Sequence, residues 1–227
     1  MTPSTRETRW SLVTRAQGDT PAAHLALSEL CEIYYAPVLA YIRSWAGPDE
    51  TEDLTHAFFE RILAGDSLKG ASQQRGRFRS YLLGAVKHFL CENRAKEHRL
   101  KRGSHLPHLE IKEEIAPDHA ALPPDAEFDR AWACTLLDRA LRLLAEEMNQ
   151  SGKDLLFQEL HPWLTGAAGY GDQTAVAEKL GLGETSVRVQ VHRLRKRFRE
   201  IIEAEVAQTL DSGTDPAAEL RHLLSVC

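Results

Sequence analysis

Cationic side chains are concentrated between residues 184 and 199, where their shared chemistry is the binding of phosphate groups. After Glu184 the segment carries six of them before the next acid, Glu200: Arg188, Arg193, Arg195, Lys196, Arg197 and Arg199. The 227-residue chain as a whole has a formal net charge of −5. A localised basic segment in an acidic chain predicts a specific contact with an anionic partner, rather than a uniformly adhesive surface.

A second basic segment lies at residues 75–102, which hold nine Lys and Arg against two acids. Its cations are interleaved with Phe78, Tyr81 and Phe89, an arrangement that suits unpaired nucleic acid, because charge holds phosphates and rings stack on bases. Phe78 and Phe89 also fall on a helical apolar stripe, so we expect them in the core. Tyr81 and the loop before Arg77 are the better candidates to touch bases.

Catalysis and metal binding find little support in the sequence. The stretch GLGETS resembles a phosphate-binding loop, but it lacks the Gly-Lys-Ser/Thr ending and a preceding strand. Four histidines lie in and near the central acidic segment: His98, His105, His108 and His119. The Cys and carboxylate residues near them do not have the spacing of a metal site. No CxxC pair occurs among the cysteines, which we expect to be reduced thiols: Cys31, Cys91, Cys134 and Cys227. We therefore expect a protein that is not an enzyme and that uses no cofactor or metal ion.

Apolar residues recur at steps of three and four along most of the chain, and no alternating strand pattern of any length occurs. The predicted fold is all-α, with two helical domains, residues 1–102 and 125–227, joined by a flexible acidic linker at 103–124. In the N-terminal domain, the helix through residues 27–45 is expected to kink at Pro37. The residues expected to face inward on the next two helices are Leu54, Ala57, Phe58 and Ile62, then Phe78, Leu82, Ala85 and Phe89.

The C-terminal domain contains the pattern of a helix-turn-helix. A short helix is predicted from about Thr174 to Leu180, Gly181 can adopt the left-handed turn, and a second helix is predicted to start near Glu184. The start of the second helix would enter the major groove, where Arg and short polar side chains read base edges. The cations that follow are better placed for phosphates: Arg193, Lys196 and Arg197. An ordinary solvated basic face is the alternative interpretation.

Three stretches of sequence together resemble a known family. EDLTHAFFERIL contains an Asp-Leu-Thr-x-x-x-Phe core, GRFRSYLLGAVKHFL follows it, and AVAEKLGLGETSVRVQVHRLRKRFRE covers the helix-turn-helix. In this order they are similar to bacterial RNA polymerase sigma factors of the extracytoplasmic-function group, which contain only regions two and four. The resemblance extends over nearly the whole chain, and its specific part is the pairing of EDLTHAFFERIL with the helix-turn-helix.

The resemblance implies a partner for each group of residues. The helix with the Asp-Leu-Thr motif docks on the largest polymerase subunit in the family, which implies a polymerase surface of Asp53, His56, Phe59 and Glu60. The residues implied in melting and binding the minus-10 element are Arg77, Arg79, Tyr81, Lys87, His88 and Arg94. Those implied in reading the minus-35 element are Glu184, Thr185, Ser186, Arg188, Val189, His192, Arg193, Arg195 and Lys196. Many members carry Trp and Asn where this chain has Tyr81 and His88, so no minus-10 sequence preference follows.

We therefore predict a promoter-specific transcription initiation factor in the cytoplasm, since the chain starts without an apolar signal core and no run approaches about 20 apolar residues. Its expected partners are core RNA polymerase and promoter DNA, and the family adds an anti-sigma regulator as a third. The linker, fully extended, reaches about 75 Å, or about two turns of DNA. Two alternatives stay open: a helix-turn-helix regulator that does not bind core polymerase, and a helical adaptor whose basic faces meet acidic proteins.

Overall fold

The computed structural model describes residues 9–18, 20–64, 68, 71, 77–103, 122–166, 172–210 and 215–225. Within these ranges every regular element is a helix, so the predicted all-α class is confirmed for this part of the chain. The helices are α1 Arg9–Ala16, α2 Pro21–Ala46, α3 Thr51–Leu63, α4 Phe78–Gly103, α5 Pro124–Gln150, α6 Asp154–Leu160, α7 Pro162–Thr165, α8 Asp172–Leu180, α9 Glu184–Ala207 and α10 Pro216–Ser225. The predicted linker lies almost entirely outside the described residues.

The limits of α2 follow from local chemistry. Thr20 precedes it, and its Oγ1 accepts a hydrogen bond from the backbone N–H of Ala23 at 3.1 Å, while proline occupies the first helical position. The helix continues through Pro37 and ends before Gly47, whose φ of +85° favours glycine. The long apolar stripe predicted for this segment therefore belongs to one helix.

Buried aromatic rings join four helices. Tyr34 of α2 stacks on Trp132 of α5, with 4.7 Å between ring centroids, and meets Phe78 of α4 edge-on at 5.2 Å. Trp10 of α1 also meets Phe78 edge-on, at 5.8 Å. Such aromatic pairs add about 0.5–1.5 kcal/mol each beyond the burial of their area. Because of them α5, assigned from the sequence to the second domain, packs along α2 of the first, and the described residues share a continuous core.

The inward faces of α3 and α4 agree with the predicted stripes at most positions. Leu54, Phe58 and Ile62 are buried as expected, and so are the predicted core residues Phe78, Leu82 and Phe89 of α4. Ala57 is exposed, contrary to the prediction, and Phe59 is buried in its place. The cause is Tyr35 of α2, which stacks on Phe59 at 5.7 Å and so covers that side of α3.

Among the described helices, α2 is long and apolar enough to cross a membrane by length and composition alone. Half of its most apolar window is buried against the rest of the fold. A core helix of this composition passes the same test, so the cellular location stays a prediction.

Candidate nucleic-acid interface

The predicted helix-turn-helix is formed by α8, a short turn and α9. The turn residue Gly181 has φ of +62°, and the N–H of Leu182 donates to the carbonyl of Ala177 at 2.9 Å, which closes the end of α8. Gly183, with extended backbone angles, precedes the first residue of α9. Val187, Val191 and Leu194 are buried, so the inner face of α9 lies where the periodicity placed it.

The first turns of α9 carry exposed side chains that α8 helps to orient. Glu184 Oε1 accepts a hydrogen bond from Thr174 Oγ1 at 2.9 Å, and Arg188 Nε donates to Gln173 Oε1 at 3.2 Å. Arg188 Nη2 lies 3.5 Å from Glu184 Oε2, and the arginine side chain keeps 63% of its surface exposed. Exposed guanidinium groups of this kind bind the acceptor pair of guanine in the major groove.

Val189 adds an apolar contact to the same end of α9. Its side chain is 43% exposed, beside the exposed polar residues Thr185 and Ser186. Exposed apolar groups on such a helix can meet the methyl group of thymine, while hydroxyls can pair with either kind of base edge. The chemistry at the start of α9 therefore suits sequence reading in duplex DNA.

The later cations of α9 differ in what they touch. His192, Arg193 and Lys196 are exposed. Arg195 is also exposed, but its Nε and Nη2 donate to the carbonyl oxygen of Trp163 on α7 at 3.3 and 3.0 Å. These hydrogen bonds fix the direction of the guanidinium without burying it.

Arg197, which was predicted to contact phosphate, is exposed but pairs with two carboxylates. Its Nε lies 2.8 Å from Glu147 Oε1 on α5, and its Nη1 lies 3.0 Å from Glu200 Oε2. The hydrogen bond with Glu147, followed by the one with Glu200, raises the pKa of Arg197. This pairing ties α9 to α5, which a sequence pattern for α9 alone does not contain.

A groove of about 430 Å³ opens between α3 and α4. Its lining combines apolar and polar side chains: Phe58, Arg61, Ile62, Ser80, Tyr81, Gly84, Ala85, His88 and Phe89. Two of the six predicted minus-10 residues, Tyr81 and His88, are in this lining. The groove is open to solvent, and its volume and mixed lining would admit an unstacked base.

Charged groups at the rim of the groove are organised around Glu92. Arg61 is paired with the Glu92 carboxylate, and this hydrogen bond lowers the pKa of Glu92. His88 Nδ1 lies 3.6 Å from the other carboxylate oxygen. The rim therefore holds an imidazole and a guanidinium close together on α4 and α3.

The other predicted minus-10 cations differ in exposure: Arg79 is buried and Arg77 half-buried, whereas Lys87 and Arg94 are exposed. Arg77 and Arg79 pair with Glu219 of α10, and Arg79 also pairs with Asp129 of α5. Lys87 Nζ lies 2.7 Å from Asp125 Oδ2, a hydrogen bond that raises the pKa of Lys87. Arg94 covers the ring of Trp45 at 4.8 Å. Acids distant in sequence thus occupy three cations that were predicted to face DNA.

The predicted polymerase surface on α3 is partly exposed. Asp53, His56 and Glu60 are exposed, and His56 Nε2 lies 3.2 Å from the hydroxyl of Tyr35. Phe59 is only 7% exposed, so it belongs to the core and not to the expected acid-plus-aromatic surface. Exposed Leu63 at the end of α3 provides an apolar group beside these residues.

Comparison with protein-family models gave no match, and comparisons with curated proteins and with solved structures gave none either. Function is therefore inferred from the residues of this chain. Within the described part, no group of three or more His, Cys, Asp or Glu could hold a metal ion. The histidines at 105, 108 and 119 lie outside the described residues.

Three residues of these sites were missed by sequence reasoning. Arg61 lines the groove, and Gln173 and Thr174 orient the charged groups of α9. Arg61 lies in the quoted EDLTHAFFERIL motif and could have been found, since cations beside aromatic positions were the signal used for α4. Gln173 and Thr174 carry no comparable signal, because their role depends on where α8 crosses α9.

Proposed function

We propose that this protein is a promoter-specific transcription initiation factor of the sigma type, which binds core RNA polymerase and two promoter elements. The observation that carries the proposal is the exposed start of α9, where Glu184 and Arg188 are held by side chains of α8. This end of a helix-turn-helix is the part that enters the major groove.

Duplex recognition divides between the two parts of α9. Arg188 and Val189 lie where base edges are read, and exposed Arg193 and Lys196 further along can pair with phosphates. The inner face is buried, so the helix can be held against the groove without unfolding. This division supports binding to one promoter element in double-stranded form.

The groove between α3 and α4 supports the second half of the proposal. An unpaired base in this groove would have Tyr81 for stacking and His88 and Arg61 for hydrogen bonds. Binding an unstacked base favours the opened state of the duplex, so melting needs no covalent chemistry from the protein. A regulator that binds only duplex DNA has no use for such a groove.

Contact with polymerase is assigned to the exposed side of α3. Asp53, His56 and Glu60 lie there, at the positions where the resemblance places polymerase binding. A charged surface with Leu63 at its end suits a protein partner of opposite charge. This part of the proposal separates an initiation factor from other DNA-binding proteins.

A second candidate is a helix-turn-helix regulator that acts without binding core polymerase. The observation that favours it is the pairing of Arg77, Arg79 and Lys87 with acids of α5 and α10, which leaves these cations occupied in this conformation. A regulator would need only α9 to be exposed.

Run-off transcription with bacterial core RNA polymerase on a genomic promoter library tests the proposal. The full-length protein is expected to direct initiation at a defined subset of promoters. The double variant Asp53→Lys/Glu60→Lys should abolish initiation and polymerase capture, because it reverses the charge of the docking surface, while duplex binding by α9 is retained.

The matched control is Glu29→Lys/Asp138→Lys, which makes the same change of charge at exposed positions on α2 and α5. It should behave as the wild type. DNA binding without polymerase capture by the wild type would favour the regulator, and no DNA binding at all would leave the helical adaptor.

A further inference from the structure

We propose that α10 is an intramolecular latch that keeps the cations at the start of α4 away from nucleic acid until a DNA strand displaces it. The inference rests on the proposed function, because it assigns a regulatory element to the same single-strand site. Arg77 and Arg79 flank Phe78 at the start of α4, and the next two residues, Ser80 and Tyr81, line the groove.

The latch is a network of charges that links α4, α5 and α10. Glu219 Oε2 lies 2.7 Å from Arg77 Nη1, and Glu219 Oε1 lies 2.9 Å from Arg79 Nη2. Asp129 of α5 lies 2.8 Å from Arg79 Nη1 and 3.3 Å from His222 Nε2 of α10. One carboxylate on α10 therefore holds two cations that the resemblance assigns to the minus-10 element.

Burial of Arg79 and Glu219 keeps other anions away from their ion pair. The Arg79 side chain is 7% exposed and that of Glu219 is 2% exposed. While α10 is docked, a phosphate group cannot reach Arg79, and Arg77 is engaged by the same carboxylate. Access to Arg79 therefore requires α10 to move, whereas Arg77 keeps about 35% of its side chain exposed and is held by the carboxylate alone.

Docking of α10 also carries a free-energy cost, which makes its release easier. The Nε of Arg79 is buried and has no hydrogen-bond partner among the described atoms. Removing charged groups from water offsets much of their mutual attraction, and a donor left unsatisfied adds to that penalty. The closed and open states therefore differ less in free energy than the number of ion pairs suggests.

The attachment of α10 suits an element that detaches as a unit. The helix has ten residues, and Asp215 accepts hydrogen bonds from the N–H groups of Ala217 and Ala218, so its first turn is capped within its own segment. Leu223 of α10 is buried, whereas Leu224, the next residue of the same helix, is exposed. Release of α10 exposes Leu223, the half-buried Leu220 and the charge network, while α5 and α9 remain packed on each other.

Phosphate and carboxylate compete for the same guanidinium geometry, since both accept paired N–H donors from arginine. A DNA strand whose base enters the groove would bring its phosphates toward Arg77 and Arg79. If the closed form predominates by about ten to one, opening the latch improves the apparent affinity for the strand about tenfold.

The test measures binding of a short fluorescein-labelled DNA single strand to full-length protein by anisotropy, with amide hydrogen exchange of residues 216–225 as a second measurement. Glu219→Gln keeps the shape of the side chain and removes its charge. Leu223→Ala weakens the docking of α10 and keeps every charge. The control Glu29→Gln removes the same charge from the exposed side of α2.

Both latch variants are expected to bind the strand up to about tenfold more tightly than the wild type and the control. Their α10 amides should exchange faster, and added strand should accelerate α10 exchange in the wild type. Circular dichroism shows whether each variant folds. If Glu219→Gln does not fold, Leu223→Ala serves as the test, and if Leu223→Ala does not fold, Glu219→Gln serves as the test.

Two negative results are distinguishable. Equal and measurable affinities in all proteins, or bound DNA that leaves α10 exchange unchanged, would overturn the latch and leave the DNA-binding proposal standing. Faster α10 exchange in the variants with no strand binding at low salt would overturn the single-strand function of this face, and the latch as its gate.

Discussion

Arg79 and Arg188 show how burial decides what one type of side chain can do. Each lies near a glutamate, but Arg188 keeps 63% of its surface exposed and Arg79 keeps 7%. An exposed ion pair of this kind contributes about 0–1 kcal/mol, so Arg188 can leave Glu184 at little cost when a base edge is offered. Arg79 has no such freedom until the structure around it opens.

Arg188→Ala is therefore expected to weaken binding to duplexes selected by the wild-type protein by about 1–3 kcal/mol, and to relax the preference at one base pair. Anisotropy titrations against selected and scrambled duplexes measure both effects. Arg199→Ala removes the same charge further along the exposed face and should weaken all duplexes equally, if at all. Equal losses on both duplexes for Arg188→Ala would assign that arginine to phosphate contact instead.

At the scale of elements, the turn between α8 and α9 shows how two glycines can have different roles. Gly181 has φ of +62°, a conformation that favours glycine, whereas Gly183 has φ of −77°, which any residue adopts. A Cβ added at either position meets no atom within 4 Å. Alanine at either position therefore meets no collision, and the costs that remain are backbone strain at position 181 and weaker helix capping at position 183.

Gly181→Ala should lower the free energy of unfolding by about 1–2 kcal/mol because alanine is strained at positive φ. Gly183→Ala should cost less, about 0.5–1 kcal/mol, because alanine is a poorer helix cap than glycine. Urea denaturation followed by circular dichroism compares the two. Equal losses would contradict the strain argument.

The elements could be predicted because their causes are local. Apolar spacing placed the inner faces of α3, α4 and α9, and the residue type of Gly181 was enough to locate the turn of the helix-turn-helix. The prediction was wrong at Ala57 and Phe59 because the decisive neighbour, Tyr35, comes from another helix. Arg197 and Glu147, 50 positions apart, could not be paired for the same reason.

At the scale of the whole molecule, the two predicted domains meet along α2 and α5. The stack of Tyr34 on Trp132 lies in the interior, and Trp132 is fully buried. The sequence was enough to predict which residues form helices, but not which helices pack together. The large aromatic side chains on α5 could pack against a helix of either domain. Binding two promoter elements separated along DNA would require this contact to change.

Trp132→Ala should lower the free energy of unfolding by about 3–5 kcal/mol, because it leaves a cavity where α2, α4 and α5 meet. Because the core is continuous, the protein is expected to unfold in one cooperative transition in urea. The substitution should shift the midpoint of that single transition to a lower urea concentration. Trp45→Ala, at a half-buried position near the end of α2, is the control and should cost less. A second transition with an unshifted midpoint would mean that the halves fold separately.

The pairing of Arg79 with Glu219 has a consequence for the chain as it is made. These residues are 140 positions apart, and a ribosome adding roughly 5–20 residues per second needs about 7–28 s to cover that distance. For that interval the arginine has no carboxylate from α10 to pair with. Until α10 has been made and has docked, Arg79 therefore relies on Asp129 of α5 for a carboxylate partner.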